Sequence, residues 1–314
     1  MEPVDWQPDA PAWHADPRAW QPRPKFKDRL RIHVGLFALT ILTTTLLGAD
    51  QYFKFATMMA GAAPRMSAVS FVAHGFWYSG TVLGILGCHE LGHYLACRYY
   101  NIDASLPYFL PLPLPPSGTL GAFIRIREPI PLKRMLFDIG IAGPIAGFLI
   151  ALPALFAGVA MSRVLQIPDS ASAAALGEPL LFTIASRVIW GTIPEGRDLY
   201  VHPMAFGAWF GLLATSLNLF PIGQLDGGHI SYSVLGRKSS IVSIVGIAVG
   251  VVLSFISRTW IVWTVLMIVM LRIFGRHHPP VVDEDAPLDR ARLALALVAL
   301  VIFVLCFIPV PFPT

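Results

Sequence analysis

Three of the residues best suited to chemistry lie together, His89, Glu90 and His93 in the stretch Cys88-His89-Glu90-Leu91-Gly92-His93. A fourth, Asp226, lies far downstream in a stretch running from Asn218 through Pro221 and Leu225 to Gly227 and Gly228. On a helix, successive residues step by about 100°. His89 and His93 then sit about 40° apart on one face, a turn from each other, with Glu90 within about 100° of both. This H-E-x-x-H spacing suits a metal held by two imidazoles, with a carboxylate beside the open coordination position. A tetrahedral catalytic site wants three protein ligands and one water. Asp226 is the expected third ligand, because it follows the apolar run Met204 to Leu219 and is surrounded by the helix breakers Pro221, Gly223, Gly227 and Gly228. The alternative is that Asp226 caps a helix leaving the membrane. Imidazole combined with carboxylate favours zinc. Glu90, surplus as a ligand, is expected to move protons as the catalytic base.

The setting of these residues is apolar. From Ser67 to Cys88 there is no Asp, Glu, Lys or Arg. Val82, Leu83, Ile85, Leu86 and Leu95 flank the motif on every side, which reads as a helix in lipid. Two histidines and a carboxylate at that depth are costly without a compensating partner, and a divalent cation supplies one. The whole chain of 314 residues is 55% hydrophobic and 13% charged, with mean hydropathy +0.63. That is the composition of a polytopic membrane protein. The net charge of +4 is spread over loops without a basic cluster interleaved with aromatics. It points to anionic lipid head groups as partners and excludes nucleic acid. Cys88, Cys97 and Cys306 all lie in apolar spans, so no disulfide framework is implied.

The elements that must position these residues are six to seven transmembrane helices, making the expected fold all-α and polytopic. Residues 1–31 read as a disordered cytoplasmic tail containing Pro and Trp, 32–232 as a membrane core, and 233–314 as C-terminal transmembrane helices. Trp6, Trp13 and Trp20 recur every seven residues, but the interspersed prolines forbid a helical heptad. The first span is expected at Ile32–Leu47, followed by a loop holding Asp50, Lys54 and Arg65 and then the motif helix. Leu106 to Pro116 alternates Pro with apolar residues and cannot be helical. In Gly118 to Arg127, Ala122, Ile124 and Ile126 alternate with Phe123, Arg125 and Arg127, which reads as an extended segment. Together they predict a short membrane-associated β-hairpin or loop between the second and third spans, with an edge open to an unwound peptide strand. The third span, Met135–Val159, carries Gly140, Ala142, Gly143, Ala146 and Gly147, small residues that let helix backbones approach closely in lipid. Ser162–Val201 reads as a polar loop, Met204–Pro221 as the fourth span, Ile241–Ile256 and Trp260–Ile273 as two tilted spans or a hairpin, and Leu293–Pro309 as the last.

With these motifs in view, the chain resembles the site-2 protease family of intramembrane zinc metalloproteases. The resemblance rests on His89-Glu90-Leu91-Gly92-His93 with Asn218-x-x-Pro221-x-x-x-Leu225-Asp226-Gly227. The run from Gly140 to Gly147 and the segment from Gly118 to Ile124 also resemble that family. It covers about half the chain, Ser79 to Tyr232. It implies regulated intramembrane proteolysis, with transmembrane proteins as substrates. It also implies a substrate-positioning role for Asn218, whose amide offers both a donor and an acceptor to an unwound backbone; helix packing is the alternative use of that residue.

Lys and Arg set the orientation. A cytoplasmic N-terminus with alternating spans puts seventeen of the 23 basic residues on the cytoplasmic side, an arrangement expected of a multi-pass protein of a bacterial inner membrane. Two other classes remain, a membrane metal-ion transporter and a catalytically silent scaffold of the same fold. A transporter would show several His or acidic residues along a path, and the intact Glu90 argues against a silent scaffold. Of the other histidines, His229 is a candidate to support a ligand, His202 is expected at the interface, and His277 and His278 in a solvated loop. Substrate identity and oligomeric state are not encoded in any motif.

Overall fold

A computed structural model describes residues 28–166, 177–255, 258–274 and 280–308. The tail of residues 1–27, with its three Trp, and the pair His277 and His278 lie outside the described residues. Nine α-helices and four short strands follow in the order α1 (Leu30–Ala60), α2 (Ala68–Tyr99), β1 (Tyr108–Pro111), β2 (Thr119–Phe123), α3 (Lys133–Met161), β3 (Arg163–Gln166), α4 (Leu180–Trp190), β4 (Arg197–Tyr200), α5 (Pro203–Asn218), α6 (Asp226–Leu235), α7 (Ser239–Ser254), α8 (Thr259–Phe274) and α9 (Arg290–Cys306) among those residues.

The helix ends follow local chemistry. Ser67 caps α2 by accepting from the Ser70 N–H at 3.1 Å, and Asp289 caps α9 by accepting from the Arg292 N–H at 3.0 Å. His202 caps α5 by accepting from the Met204 N–H, with Pro203 at the first helical position. Gly61 ends α1 in the left-handed region at φ 69°. The helix α1 runs thirteen residues past the Leu47 boundary expected from hydropathy. Asp50 and Lys54 do not break it, because they stand one turn apart and pair at 2.6 Å on its exposed side.

Four helical stretches are long and apolar enough to cross a membrane among the described residues: α1, α2, α3 and the composite Asp226–Ser254. That is fewer than the six to seven expected. The helices α5, α8 and α9 have 16 or 17 residues. At about 1.5 Å per residue they are about 24–26 Å long, at the lower edge of the length that spans a hydrocarbon core, so the expected count is not confirmed. The polar loop expected over Ser162–Val201 is also corrected. It contains the antiparallel pair β3–β4 and the helix α4, whose Leu181, Phe182 and Ala185 are buried in the main core with Leu155, Val159 and Ala205. The hairpin expected between the second and third spans is present as β1 paired antiparallel with β2, Tyr108 opposite Phe123 and Leu110 opposite Gly121.

The core is a packing of α2 against α3 and of both against α5, with α1 on the other side of α2. Small residues set these contacts. A Cβ on Gly92 would lie 2.5 Å from the Ala142 carbonyl oxygen, and one on Gly158 would lie 2.3 Å from the Ala205 nitrogen. The backbones of α2 and α3, and of α3 and α5, therefore touch directly, as small-residue interfaces allow in lipid. Pro144 and Pro153 sit inside α3 without ending it, as buried membrane helices permit where neighbours re-satisfy the freed groups.

Candidate metal centre

Three elements deliver the motif residues to one point. The helix α2 presents His89, Glu90 and His93, all buried, at 4, 5 and 7% exposure. The break between α5 and α6 delivers the rest. Asn218 is the last residue of α5, and Asp226 is the first of α6. Between them the chain turns through Leu219 to Leu225, with Gly223 at φ 57°. Gly227 and Gly228 are needed because the first turn of α6 lies on that turn. A Cβ on Gly227 would sit 2.0 Å from the Leu219 carbonyl oxygen, and one on Gly228 would sit 2.3 Å from that of Gly223. The Asp-Gly-Gly sequence is thus the price of folding the α6 terminus back toward α2.

The result is a tight cluster. The ligand-capable atoms of His89, His93 and Asp226 all lie within 4.8 Å of one another. His89 Nε2 is 3.1 Å from Asp226 Oδ2, His93 Nε2 is 3.2 Å from Asp226 Oδ1, and the two Nε2 atoms are 3.1 Å apart. His93 Nδ1 lies 2.7 Å from the Ile139 carbonyl oxygen. A carbonyl only accepts, so Nδ1 carries the proton and Nε2 turns its lone pair toward the cluster. That is the tautomer and the supporting contact of a metal-bound imidazole. Zinc bonds of about 2.0–2.2 Å in a tetrahedron separate ligand atoms by about 3.3 Å. The residues present fit such an ion, and the concentration of lone pairs in a buried space calls for a cation.

The helix α3 supplies the wall. A Cβ on Gly143 would fall 2.1 Å from His93 Nε2, and one on Gly147 would fall 3.2 Å from His89 Cβ. The imidazoles occupy the space where side chains of α3 would stand. Glu90 follows His89 directly on α2 and is buried beside the cluster at 5% exposure. The Asn218 amide nitrogen lies 3.2 Å from His89 Nε2, at the rim of the cluster.

The other histidines stand apart. His229 packs its Cβ against Gly140 and is not among the three grouped ligands. His202 is buried, 2% exposed, and ringed by Tyr52, Phe55 and Trp77. His33 and His74, without evident partners in sequence, bond the carbonyls of Pro107 and Ser70. Sequence reasoning missed the Ile139 carbonyl. Backbone groups carry no residue signal, although the small residues of α3 did mark where a close approach would fall.

Helices long and apolar enough to cross a membrane, two of them bringing two imidazoles and the Asp226 carboxylate to one buried point, place the chain in the class of helical membrane proteins with a candidate metal centre. Residues 77–257 match Peptidase family M50, which is more than half of the chain, and the protein belongs to that family. It is similar to the probable zinc metalloprotease EGY2, chloroplastic, of Arabidopsis thaliana, 29% identical over 235 residues that make up 73% of this chain and 40% of that protein. It is also similar to EGY1 of the same plant, 28% identical over 240 residues, 73% of this chain and 42% of the relative. The probable zinc metalloprotease EGY3 of Oryza sativa subsp. japonica is 27% identical over 246 residues, 72% of this chain and 41% of the relative. The chain thus spans about two fifths of the length of these relatives. No solved structure matches it.

Proposed function

We propose that this protein is an intramembrane zinc metalloprotease that hydrolyses peptide bonds within or near transmembrane segments of other membrane proteins. The observation that carries the reading is the convergence of His89, His93 and Asp226 beside Glu90 inside apolar helices. Among the described residues this is the single group of three or more candidate ligands, which favours a catalytic centre over a transport path. Relatives named as zinc metalloproteases support zinc as the ion.

His89, His93 and Asp226 would hold the ion, which when bound would supply Lewis-acid polarisation of the scissile carbonyl and make a water more acidic. The chain's own residues do the rest. Glu90 accepts the proton of the attacking water and returns it to the leaving amine nitrogen, so that no net proton is consumed. A helical substrate hides its carbonyls in hydrogen bonds to the residue four positions on, so it must open locally. Asn218, at the rim, is placed to donate to a freed carbonyl. The β2 edge, with Leu120 at 68% and Phe123 at 45% exposure, offers an extended partner to an unwound strand. Regulated proteolysis of single-span proteins in a bacterial inner membrane, with the N-terminus in the cytoplasm, is the setting we propose.

The test is cleavage of a quenched-fluorescent single-span peptide with a central Gly-Pro break by the purified full chain. Cleavage is expected, to be lost on chelation and restored by zinc. Cleavage that survives exhaustive chelation, with metal removal verified, would contradict the reading.

A further inference from the structure

We infer that Ser243 on α7 is a positioning residue for Asp226 and Asn218, acting through a hydrogen bond to the carbonyl of Pro221 in the turn between them. The inference rests on the proposed metal centre, and it names a residue outside the ligand cluster.

The turn that links Asn218 to Asp226 is held in shape by short-range bonds. The Phe220 N–H donates to the Leu217 carbonyl at 3.2 Å, the Ile222 N–H to the Phe220 carbonyl at 2.8 Å and the Leu225 N–H to the Ile222 carbonyl at 3.2 Å. The bond from Ile222 to Phe220 closes a three-residue turn centred on Pro221, whose ring fixes φ near the value such a turn needs. These bonds set the internal shape of the turn and leave its placement to contacts with other helices. Leu219 and Ile222 are buried, but apolar burial has no direction. It holds the turn inside the protein without fixing how its peptide planes are aimed.

Ser243 supplies the direction. Its hydroxyl donates to the Pro221 carbonyl at 2.7 Å, and the residue is 6% exposed. The Ser239 carbonyl, one turn back on α7, lies at 3.3 Å. A hydroxyl has one proton, and the shorter contact takes it. Between Pro221 and α9 lies an apolar cavity of about 210 Å³, lined also by Gly227, Val242, Ala299 and Phe303. The turn has no side chain to rest on there, so the bond to α7 keeps it out of that space. The aim of Pro221 reaches both functional residues. The first turn of α6 rests on the carbonyls that flank Pro221. A Cβ on Gly227 would lie 2.0 Å from the Leu219 oxygen and 2.6 Å from that of Phe220, and one on Gly228 would lie 3.0 Å from that of Ile222. Asp226 heads that turn. A rotation of the Pro221 peptide therefore moves the seat of Asp226, whose oxygens lie 3.1 and 3.2 Å from His89 and His93. Asn218 stands just before the turn, with its amide nitrogen 3.2 Å from His89 Nε2.

Full-length protein in nanodiscs is compared with Ser243→Ala, Ser243→Thr and Ser254→Ala. Threonine keeps the hydroxyl. Ser254 is the control, because its hydroxyl bonds the Gly250 carbonyl at 2.9 Å and Thr264 Oγ1 at 3.1 Å, ties within and between α7 and α8. The readouts are zinc retention against a competing chelator, kinetics on the quenched single-span peptide, and amide exchange of segment 219–228 in metal-free protein. Losing the outer support of a ligand costs about 10- to 100-fold in metal affinity. Ser243→Ala is expected to lose zinc about 10-fold more readily and, at saturating zinc, to cleave with kcat about 10-fold lower. Exchange of 219–228 should rise about 2- to 10-fold, the worth of one hydrogen bond. Ser243→Thr and Ser254→Ala should stay within about threefold of the parent in zinc retention and rate. Parent zinc retention in Ser243→Ala, an equal loss in Ser254→Ala, or a loss in Ser243→Thr as large as in Ser243→Ala would overturn the inference. If the parent neither holds zinc nor cleaves the peptide, the protease reading fails instead. Exchange in the metal-free protein then decides the inference, which is overturned if Ser243→Ala and Ser254→Ala give the same rates over 219–228.

Discussion

Replacing Gly143 with alanine tests how the wall of the centre is built. The added methyl would lie 2.1 Å from His93 Nε2 and 2.5 Å from both Cδ2 and Cε1. Carbon and nitrogen rest at about 3.5 Å, so the overlap must be relieved by a shift of about 1.4 Å. The ring cannot move away freely, because its Nδ1–H is held at 2.7 Å by the Ile139 carbonyl. The helix α3 cannot withdraw freely either, since Gly92 and Ala142 already touch backbone to side-chain position across the same interface. Disturbing the support of a ligand costs about 10- to 100-fold in metal affinity. A 1 Å displacement costs about 100-fold in rate. Gly143→Ala should therefore lose zinc about 10- to 100-fold more readily to a competing chelator and cleave the single-span peptide at least about 100-fold more slowly. The same helix and its partner provide a scale. Gly147→Ala, with its methyl 3.2 Å from His89 Cβ, should cost less than about 10-fold, and Gly84→Ala, 3.7 Å from Ile150 Cγ2, should be neutral. Retained zinc is measured by elemental mass spectrometry across a chelator series, beside cleavage rates. Parent values in Gly143→Ala, or a larger loss in Gly84→Ala than in Gly143→Ala, would refute this reasoning.

Two more outcomes are expected. Asp226→Ala should retain much less than one zinc per chain while His229, packed against Gly140, remains in place; stoichiometric zinc in that variant would remove Asp226 from the ligand set. Gly or Pro near the scissile bond of the test peptide should speed cleavage, and Leu or Ala there should slow it, because helix opening precedes hydrolysis; equal rates across the series would show that opening does not limit the reaction.

The elements legible in sequence were those whose signal is local. The absence of charge before Cys88 marked α2, the small residues marked the face of α3 that meets the imidazoles, and the alternation after Gly118 marked the strand β2. Distance in sequence hid the rest. Asp50 and Lys54 read as a loop because a charged pair looks like a break in an apolar run, yet at one-turn spacing they stand together outside the helix. The segment from Ser162 to Val201 read as polar because its buried residues Leu181, Phe182 and Ala185 are few and answer to α3 and α5, not to each other. The site was legible as side chains and illegible as backbone. His89, Glu90, His93, Asn218 and Asp226 are brought together, but nothing in residue type announces that the carbonyl of Ile139 orients one imidazole.

The central claim is that Glu90 moves protons and does not bind the ion. Glu90→Gln keeps the side-chain shape and leaves His89, His93 and Asp226 untouched, but it cannot accept a proton from water. General-base catalysis contributes about 10²- to 10⁴-fold. Measuring zinc content and cleavage on the same purified sample, we predict parent zinc with cleavage reduced by at least about 100-fold. Loss of zinc in Glu90→Gln would make Glu90 a ligand, and parent zinc with parent activity would place the base elsewhere; either result would contradict the account.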